Sequence, residues 1–250
     1  MLFIGPKTPL LPVVGLILAG LTYAPLAPAQ RVPQAETKPS APAPRRDLTG
    51  IWMIRGAGGQ KAEQPELTPW GLEKFKQAKS SNSGEYKLEE TNDPVITKCI
   101  PPGMPRVYYH PFPFEFLKAE NSLVMLYEYD HTVRRIYMDG RPVPEDPDLT
   151  YMGTSVGHWT DDMTLVVETV GQNDKTWLDR NGHQHSDQLK VTETLHRTDL
   201  DHLEITVKMD DPKALAKPWT IRFNAQLRPK WALGELSCAA DNADFSKFEK

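Results

Sequence analysis

Two segments near the end of the chain alternate apolar and polar residues, and this period of two constrains the fold more than any other feature. The odd positions of residues 203–209 and 219–227 are apolar, whereas the even positions are polar or charged. Successive side chains of a β-strand point to opposite faces, so each segment predicts a strand with one face in a protein core. We expect the odd faces of both strands to share one interior.

Most of the remaining chain also consists of β-like segments joined by short polar turns. Asp161–Asp162 and residues 199–201 are typical hairpin turns. One helix is predicted, capped by Thr68, with Pro69 at its first position and its end near Ala78. Successive antiparallel strands close most easily as a barrel. The predicted fold is therefore mainly all-β: an antiparallel, up-and-down, lipocalin-like β-barrel with one short N-terminal helix and long loops. The predicted strands cover residues 122–138 (two strands that meet near 130–133), 154–159, 164–170, 189–197, 203–209, 218–227 and 231–237.

The N-terminus has the three-part pattern of a cleavable secretory signal. Lys7 precedes an apolar run over residues 10–21, and Ala27-Pro28-Ala29 supplies the small residues of a cleavage site. An uncleaved membrane anchor is the alternative, but the run is shorter than the ~20 residues that span a bilayer. The pattern predicts a periplasmic or secreted protein with no membrane span in the mature chain. The predicted organisation is a signal peptide over residues 1–29, a proline-rich linker over 30–46 and a single domain over 47–250.

The chain has two cysteines, Cys99 and Cys238. An even number of cysteines in an exported chain favours a disulfide, here between the entry of the domain and its C-terminal tail. Two unpaired buried thiols are the alternative. A metal site made of these two residues alone is not expected.

A candidate site lies in the segment 122–138. Its odd positions group Tyr127, Tyr129, His131, Arg135 and Tyr137 on one face. If that face is interior, an apolar cavity gains convergent polar groups, as in small-molecule sites. His131 would be the general base, since its unperturbed pKa lies near the working pH. Arg135 would stabilise an anion and the tyrosines would donate protons or hydrogen bonds. The alternative is a set of cross-strand ion pairs with half-buried tyrosines.

Glu193 is a second candidate, because it stands in the otherwise apolar row of residues 189–195. A buried carboxylate must be paired, protonated or in contact with a wet cavity. We expect Arg135 and His131 as its partners at one cavity. The alternative is a bulge that shifts the register and turns Glu193 to solvent.

The long connection over residues 173–186 is a candidate lid for that cavity. Lys175, Trp177 and His185 in it, together with Phe223 on the interior face of a late strand, are candidate ligand-binding residues. His183 and His185 are spaced as metal ligands can be, but a lone His-x-His motif has no partner at a fixed spacing. No metal site is predicted.

Two sets of segments in this sequence resemble known protein families. Residues 47–52, DLTGIW, resemble the Gly-x-Trp entry strand of lipocalin-like (calycin) barrels, and this resemblance implies that Trp52 packs across the barrel floor under an arginine, Arg222 or Arg228. The segments YEYDHTVRRIYMDGR (127–141), NDKTWLD (173–179) and HS (185–186) resemble a family of uncharacterised exported bacterial proteins. That resemblance implies export and one domain but no activity.

Composition and motifs exclude several functions. Basic residues are scattered in a chain of net charge −4, so neither nucleic acid nor an anionic membrane is indicated as a partner. Serine-hydrolase, phosphate-loop and dinucleotide motifs are absent from the sequence, and no cofactor is predicted.

The sequence favours a barrel around a small, partly apolar, aromatic or oxygenated molecule, with cofactor-independent lyase, isomerase or cyclase chemistry. A non-catalytic carrier or sensor is the alternative, and a structural envelope protein is a third. The oligomeric state is left open.

Overall fold

Nine β-strands close into a barrel in the order in which they occur in the chain. The protein is described by a computed structural model over residues 41–55, 63–81 and 90–238, so the predicted signal peptide and most of the predicted linker lie outside the described residues. Neighbouring strands are antiparallel except β4 and β5, which run parallel. The prediction of a mainly antiparallel barrel is confirmed. The strands are β1 Gly50–Ile54, β2 Phe114–Ala119, β3 Ser122–Tyr127, β4 Val133–Tyr137, β5 Thr154–Trp159, β6 Thr164–Val170, β7 Lys190–Arg197, β8 His202–Asp210 and β9 Trp219–Leu227.

Two α-helices and a 3-10 helix lie in the connection between β1 and β2. Helix α1 spans Pro69–Gln77, and the Thr68 hydroxyl caps it by accepting a hydrogen bond from the Gly71 amide at 3.1 Å, which confirms the predicted helix. Helix α2 spans Pro94–Lys98, and a 3-10 helix spans Arg106–Tyr109; neither was predicted. In the described parts of the chain, no helix has the length and apolar character needed to cross a membrane.

Two details of the predicted meander are wrong. The connection over residues 138–153 runs back along the barrel, because β5 pairs with β4 in the parallel direction. Residues 231–237 form no strand and contribute one isolated bridge, between Leu236 and Tyr129. The pairing of β9 with β1 closes the sheet and leaves no edge to which a further strand could add. Strand β2 was not among the individual strands that were predicted.

The two ends of the barrel differ in how they are covered. The connections over residues 55–113, 171–189 and 211–218 all leave the end of the barrel at which β1, β6 and β8 finish. We call this the capped end. At the opposite end, strands are joined by short turns such as residues 120–121 and 160–163.

The interior of the barrel is filled by the protein's own side chains. The odd positions of β8 and β9 lie in one core, as predicted. Tyr108 of the 3-10 helix reaches into this core from the capped end. Aromatic residues form much of the packing: Trp52, Tyr108, Phe114, Phe116, Tyr127 and Phe223 are each less than 5% exposed.

Trp52 is buried under an arginine of a late strand, although not one of the two expected. The guanidinium carbon of Arg197 on β7 lies 5.0 Å from the centre of the Trp52 ring. The Trp52 indole N–H donates to the carbonyl of Leu48 at 2.8 Å. Arg222 is instead exposed on the outer face of β9. An arginine with an aromatic face beneath it is a stabilising cation–π contact.

The predicted disulfide is present between Cys99 and Cys238. Cys238 packs with Val95 and Tyr129 in a second apolar cluster outside the main core. The bridge therefore fastens the C-terminal tail to the end of α2, beside the capped end of the barrel.

Candidate functional site

Glu193 lies inside the barrel, fully buried, and its partner is Arg134 rather than Arg135. Arg134 donates to both carboxylate oxygens of Glu193, through NH1 to Oε1 at 3.1 Å and through NH2 to Oε2. The Tyr108 hydroxyl donates to Oε1 at 2.7 Å. Three donors thus converge on one carboxylate.

The remaining donors of Arg134 are also used. Its Nε donates to the Ser155 hydroxyl at 3.0 Å, and NH2 donates to the Thr169 hydroxyl at 2.8 Å. NH1 lies 3.7 Å from the sulfur of Met125. We call Arg134, Glu193, Tyr108, Ser155 and Thr169 the barrel network. Every nitrogen of this guanidinium has a partner, as buried polar groups require.

The electrostatics of the barrel network favour the charged form of Arg134 and the neutral form of Tyr108. Burial acts to lower the pKa of Arg134, but the adjacent Glu193 carboxylate more than compensates and raises it. Burial, then the charge of Glu193, raises the pKa of Tyr108 well above its usual value. Tyr108 therefore stays a neutral hydrogen-bond donor.

The prediction that His131 and Arg135 face the interior is wrong. In the β3–β4 hairpin Met125 pairs with Arg134 and Val124 with Arg135, so odd residues of β3 stand opposite even residues of β4. Directly opposed residues share a face of the sheet. Arg134 therefore points inward and Arg135 outward.

The hairpin turn explains this change of face. Asp130 and His131 adopt left-handed backbone angles, with φ of 51° and 48°. Two such residues in succession are the hallmark of a tight hairpin turn. His131 is exposed in this turn, and Arg135 donates to the Ser122 hydroxyl at 3.1 Å. Neither residue meets Glu193.

The other predicted site residues are dispersed. Tyr127 and Phe223 lie in the barrel core, whereas Tyr129 lies in the second cluster and stacks on His110. Tyr137 is half-buried, with the Arg141 guanidinium 3.8 Å from the centre of its ring. The predicted lid carries the last three: Trp177 is buried, His185 shares a hydrogen bond with the Thr176 hydroxyl at 3.0 Å, and Lys175 is exposed.

The predicted lid packs against the cap rather than over a cavity at Glu193. The Gln172 side chain accepts from the Met104 amide at 2.6 Å, and Gln184 donates to the carbonyl of Lys74 in α1. Asp179 accepts from the His183 ring at 2.7 Å and from three backbone amides of the turn that follows it. These contacts make the connection a fixed part of the capped end. Among the described residues no cluster of metal-ligating side chains is present.

A second buried arginine lies in the cap. Arg106 of the 3-10 helix donates through NH2 to Asp93, the residue that caps α2, and Ser81 donates to the same carboxylate oxygen at 2.6 Å. Both Arg106 and Asp93 are fully buried. We call Ser81, Asp93 and Arg106, together with His110, which ends the same 3-10 helix, the cap cluster. Unlike Arg134, Arg106 leaves Nε and NH1 without a partner among the described residues.

A groove of about 860 Å³ lies outside the barrel, between the β4–β5 connection and the outer faces of β6, β7 and β8. Glu168, Thr192 and Lys208 form one row across its floor, because Glu168 pairs with Thr192 and Thr192 with Lys208. Its charged lining residues form no ion pair with any described residue. These charged residues are Glu145, Glu168, Asp187, Lys190, Lys208 and Asp210.

Gly171 allows one wall of this groove to approach the sheet. Its φ is +72°, and a Cβ atom there would lie 2.7 Å from the Cβ atom of Pro147 and 2.9 Å from the carbonyl oxygen of Asp148. The Thr150 amide also donates to the Gly171 carbonyl at 2.9 Å. The proline-rich connection is thus held against the end of β6 by a close backbone contact that only glycine permits.

Sequence reasoning missed Arg134, Tyr108, Arg106 and the groove. Arg134 stands beside the residue that was chosen, and only the hairpin register separates them. Tyr108 and Arg106 lie in an irregular segment with no periodic pattern. The outward row of β6–β8 is polar, and its sequence carries no signal that a wall of the groove stands over it.

Comparison with models of protein families, with curated proteins and with solved structures finds no match to this chain. Function must therefore be argued from the residues.

Proposed function

We propose that this protein binds, outside the cytoplasm, a small polar molecule that carries both a positive and a negative group, and that the molecule lies in the groove beside β6–β8. The single observation that carries the proposal is the groove itself, about 860 Å³ and lined by unpaired charges of both signs. Small-molecule sites commonly have volumes of roughly 300–1,000 Å³. The location outside the cytoplasm is supported by the Cys99–Cys238 disulfide, because disulfides persist mainly in oxidising compartments.

The arrangement of the charges favours a zwitterion. Glu168 and Lys208 project from β6 and β8, with Thr192 of β7 between them. Neighbouring strands lie ~4.8 Å apart, so the two charged residues start about 10 Å apart. An ammonium group near Glu168 and a carboxylate near Lys208 would each meet its opposite charge, and Thr192 can donate or accept between them.

Acid–base chemistry at Glu193 has less support than binding in the groove. Its carboxylate accepts from Arg134 and Tyr108 and is fully buried among core side chains. A catalytic base must be within hydrogen-bond reach of the proton that it abstracts. Side chains of the protein itself occupy the positions around Glu193.

A titration of the ¹⁵N-labelled protein tests the proposal, with trialanine as the zwitterionic probe. We expect saturable shifts of the amide signals of Val170, Lys190 and Thr192. N-acetyl-trialanine amide has neither charge and should shift them at least tenfold more weakly.

Two variants locate the binding. Thr192→Arg places a long side chain across the floor of the groove and should abolish the shifts. Asn224→Arg, at an exposed position on the outer face of β9, is the matched control and should leave them unchanged. Shifts that survive Thr192→Arg, or the absence of saturable shifts for both probes, would reject the groove as a zwitterion site.

A further inference from the structure

Arg106 has more hydrogen-bond donors than the protein supplies acceptors. A guanidinium carries five N–H groups. NH2 of Arg106 is used by Asp93 and, at 3.5 Å, by Ser81, whereas Nε and NH1 have no partner among the described residues. The residue is fully buried, so bulk water does not solvate these groups. Leaving a buried donor unsatisfied costs roughly 1–3 kcal/mol, and more for a charged group.

The two carboxylates that act on Arg106 already have other partners. One oxygen of Asp93 accepts from the Val95 amide at 3.1 Å, and the other accepts from Ser81 and from Arg106 itself. Asp179, the next carboxylate to influence Arg106, is engaged with His183 and with the turn that follows it. The missing acceptor must come from outside the described chain.

His110 has the same deficiency. Its Nε2 is buried without a hydrogen-bond partner among the described residues, and its ring stacks on Tyr129 at 3.9 Å. Burial, then the positive charges of Arg106 and Arg180, lowers the pKa of His110 well below its usual value. Arg106 begins the 3-10 helix and His110 is the residue that ends it, so the two unsatisfied groups lie at the two ends of one short helix.

The charge of Arg106 is also undercompensated. Burial lowers the pKa of its guanidinium despite the neighbouring Asp93 carboxylate, and Arg180 lowers it further. For Arg134 the balance has the opposite sign, because Glu193 raises the pKa. One more negative charge at Arg106 would restore the balance that Arg134 already has.

We infer that the cap cluster binds a small monovalent anion between Arg106 and His110. Nε and NH1 of Arg106 donate to it, and Nε2 of His110 donates when it carries the proton. The anion is either a free ion or the carboxylate group of a small organic acid, since both present a compact negative acceptor. This site is independent of the groove, so the failure of one proposal leaves the other intact.

Bromide diffraction gives the direct test. Crystals grown in sodium bromide should show an anomalous peak within hydrogen-bond distance of Arg106 Nε or NH1. Crystals grown in sodium formate should show planar density at the same place if a carboxylate is accepted. Round density without an anomalous signal in bromide, and the same density in formate, would mean ordered water only and would overturn the inference.

Thermal unfolding tests the site in solution at constant ionic strength. Bromide or formate, replacing the bulky anion isethionate, should raise Tm saturably, by roughly 2–4 °C at about fivefold excess over Kd. Arg106→Lys keeps a cation for Asp93 but removes the Nε and NH1 donors, and it should abolish the rise. Arg222→Lys, at an exposed position on the outer face of β9, is the matched control and should keep it. Equal Tm values in all three salts would contradict the proposal, whichever variants fold.

Discussion

Two arginine–carboxylate pairs are buried: Arg134–Glu193 in the barrel and Arg106–Asp93 in the cap. They have the same chemistry, but only the guanidinium of Arg134 has a hydrogen-bond partner for every nitrogen. The acceptors of Arg134 come from β5, β6 and β7, three consecutive strands beside its own β4. The acceptors of Arg106 are Ser81, which follows α1, and Asp93, which caps α2. Two of its nitrogens, Nε and NH1, have no hydrogen-bond partner among the described residues. A closed sheet can surround an inward side chain with partners at fixed spacing, whereas an irregular segment supplies only what its turns happen to present. The saturated pair is therefore a structural element, whereas the unsaturated pair has donors that a bound group could use.

The largest effect should come from breaking the saturated pair. Glu193→Gln leaves the charge of Arg134 buried without its counter-ion, which we expect to lower the free energy of unfolding by about 3–5 kcal/mol. Urea denaturation followed by tryptophan fluorescence measures the loss.

The matched variant replaces both charges at once. Arg134→Met combined with Glu193→Leu should recover most of the lost stability, because neither charge of this pair then remains in the barrel. Trialanine binding should be unchanged in both proteins. If Glu193→Gln instead kept its stability and lost ligand binding, the barrel network would be functional and the contrast with the cap would be inverted.

Removal of the disulfide should weaken the cap more than the barrel. Cys99 follows α2, which Asp93 caps, and Cys238 packs against Tyr129, which stacks on His110. The bridge joins residues 139 positions apart, so Cys99→Ala with Cys238→Ala should cost roughly 2–5 kcal/mol by urea denaturation.

The same double variant should also lose the bromide-dependent rise in Tm, because the bridge holds both α2, which Asp93 caps, and Tyr129, which stacks on His110. Glu193→Gln, although less stable, should keep it. A double variant with a full bromide response would show that the cap cluster does not depend on the bridge.

Two adjacent tyrosines give a smaller contrast. Tyr108→Phe removes the donor to Glu193, and a hydrogen bond to a charged group contributes about 1.5–3 kcal/mol. Tyr109 is half-buried, and its hydroxyl has no hydrogen-bond partner within the described chain, so Tyr109→Phe should change stability by less than about 0.5 kcal/mol. Equal losses in the two variants, measured by urea denaturation, would show that the Tyr108 hydroxyl is not part of a saturated network.

The elements that were predictable are those whose signal is local and periodic. Alternation placed β8 and β9 and their shared core, and the sequence 164–170 with its turn placed β6. Glu193 was identified as an interior carboxylate because it interrupts an apolar row. Arg135 was predicted to face the interior because the alternation of β3 was continued past residues 130 and 131. These two residues form a turn, after which the even residues of β4, including Arg134, point inward.

The cap cluster could not be predicted in the same way. Ser81, Asp93 and Arg106 come together through tertiary contacts between segments that have no repeat, and none of the three stands out by composition. The disulfide was predictable because only one pairing of two cysteines exists. Residues 231–237 look like a strand locally, but strand pairing is a property of the sheet, and the barrel is already closed by β1.

The smallest effect concerns the pH dependence of the cap. The folded protein holds the pKa of His110 below its unperturbed value of 6.5, as it does for His185, where burial is the largest cause. The unfolded chain then binds protons that the folded protein does not, so stability is complete above about pH 6.5 and is lost as pH falls toward the lowered pKa values. Each histidine contributes a slope of up to about 1.4 kcal/mol per pH unit in that window. His110→Gln should remove one histidine's share of the slope in urea denaturation between about pH 7.5 and 5. A bound anion favours the protonated imidazole, so bromide should flatten the wild-type slope and have no such effect on His110→Gln. If bromide flattens both proteins equally, His110 does not contact the anion, and Arg106 alone binds it.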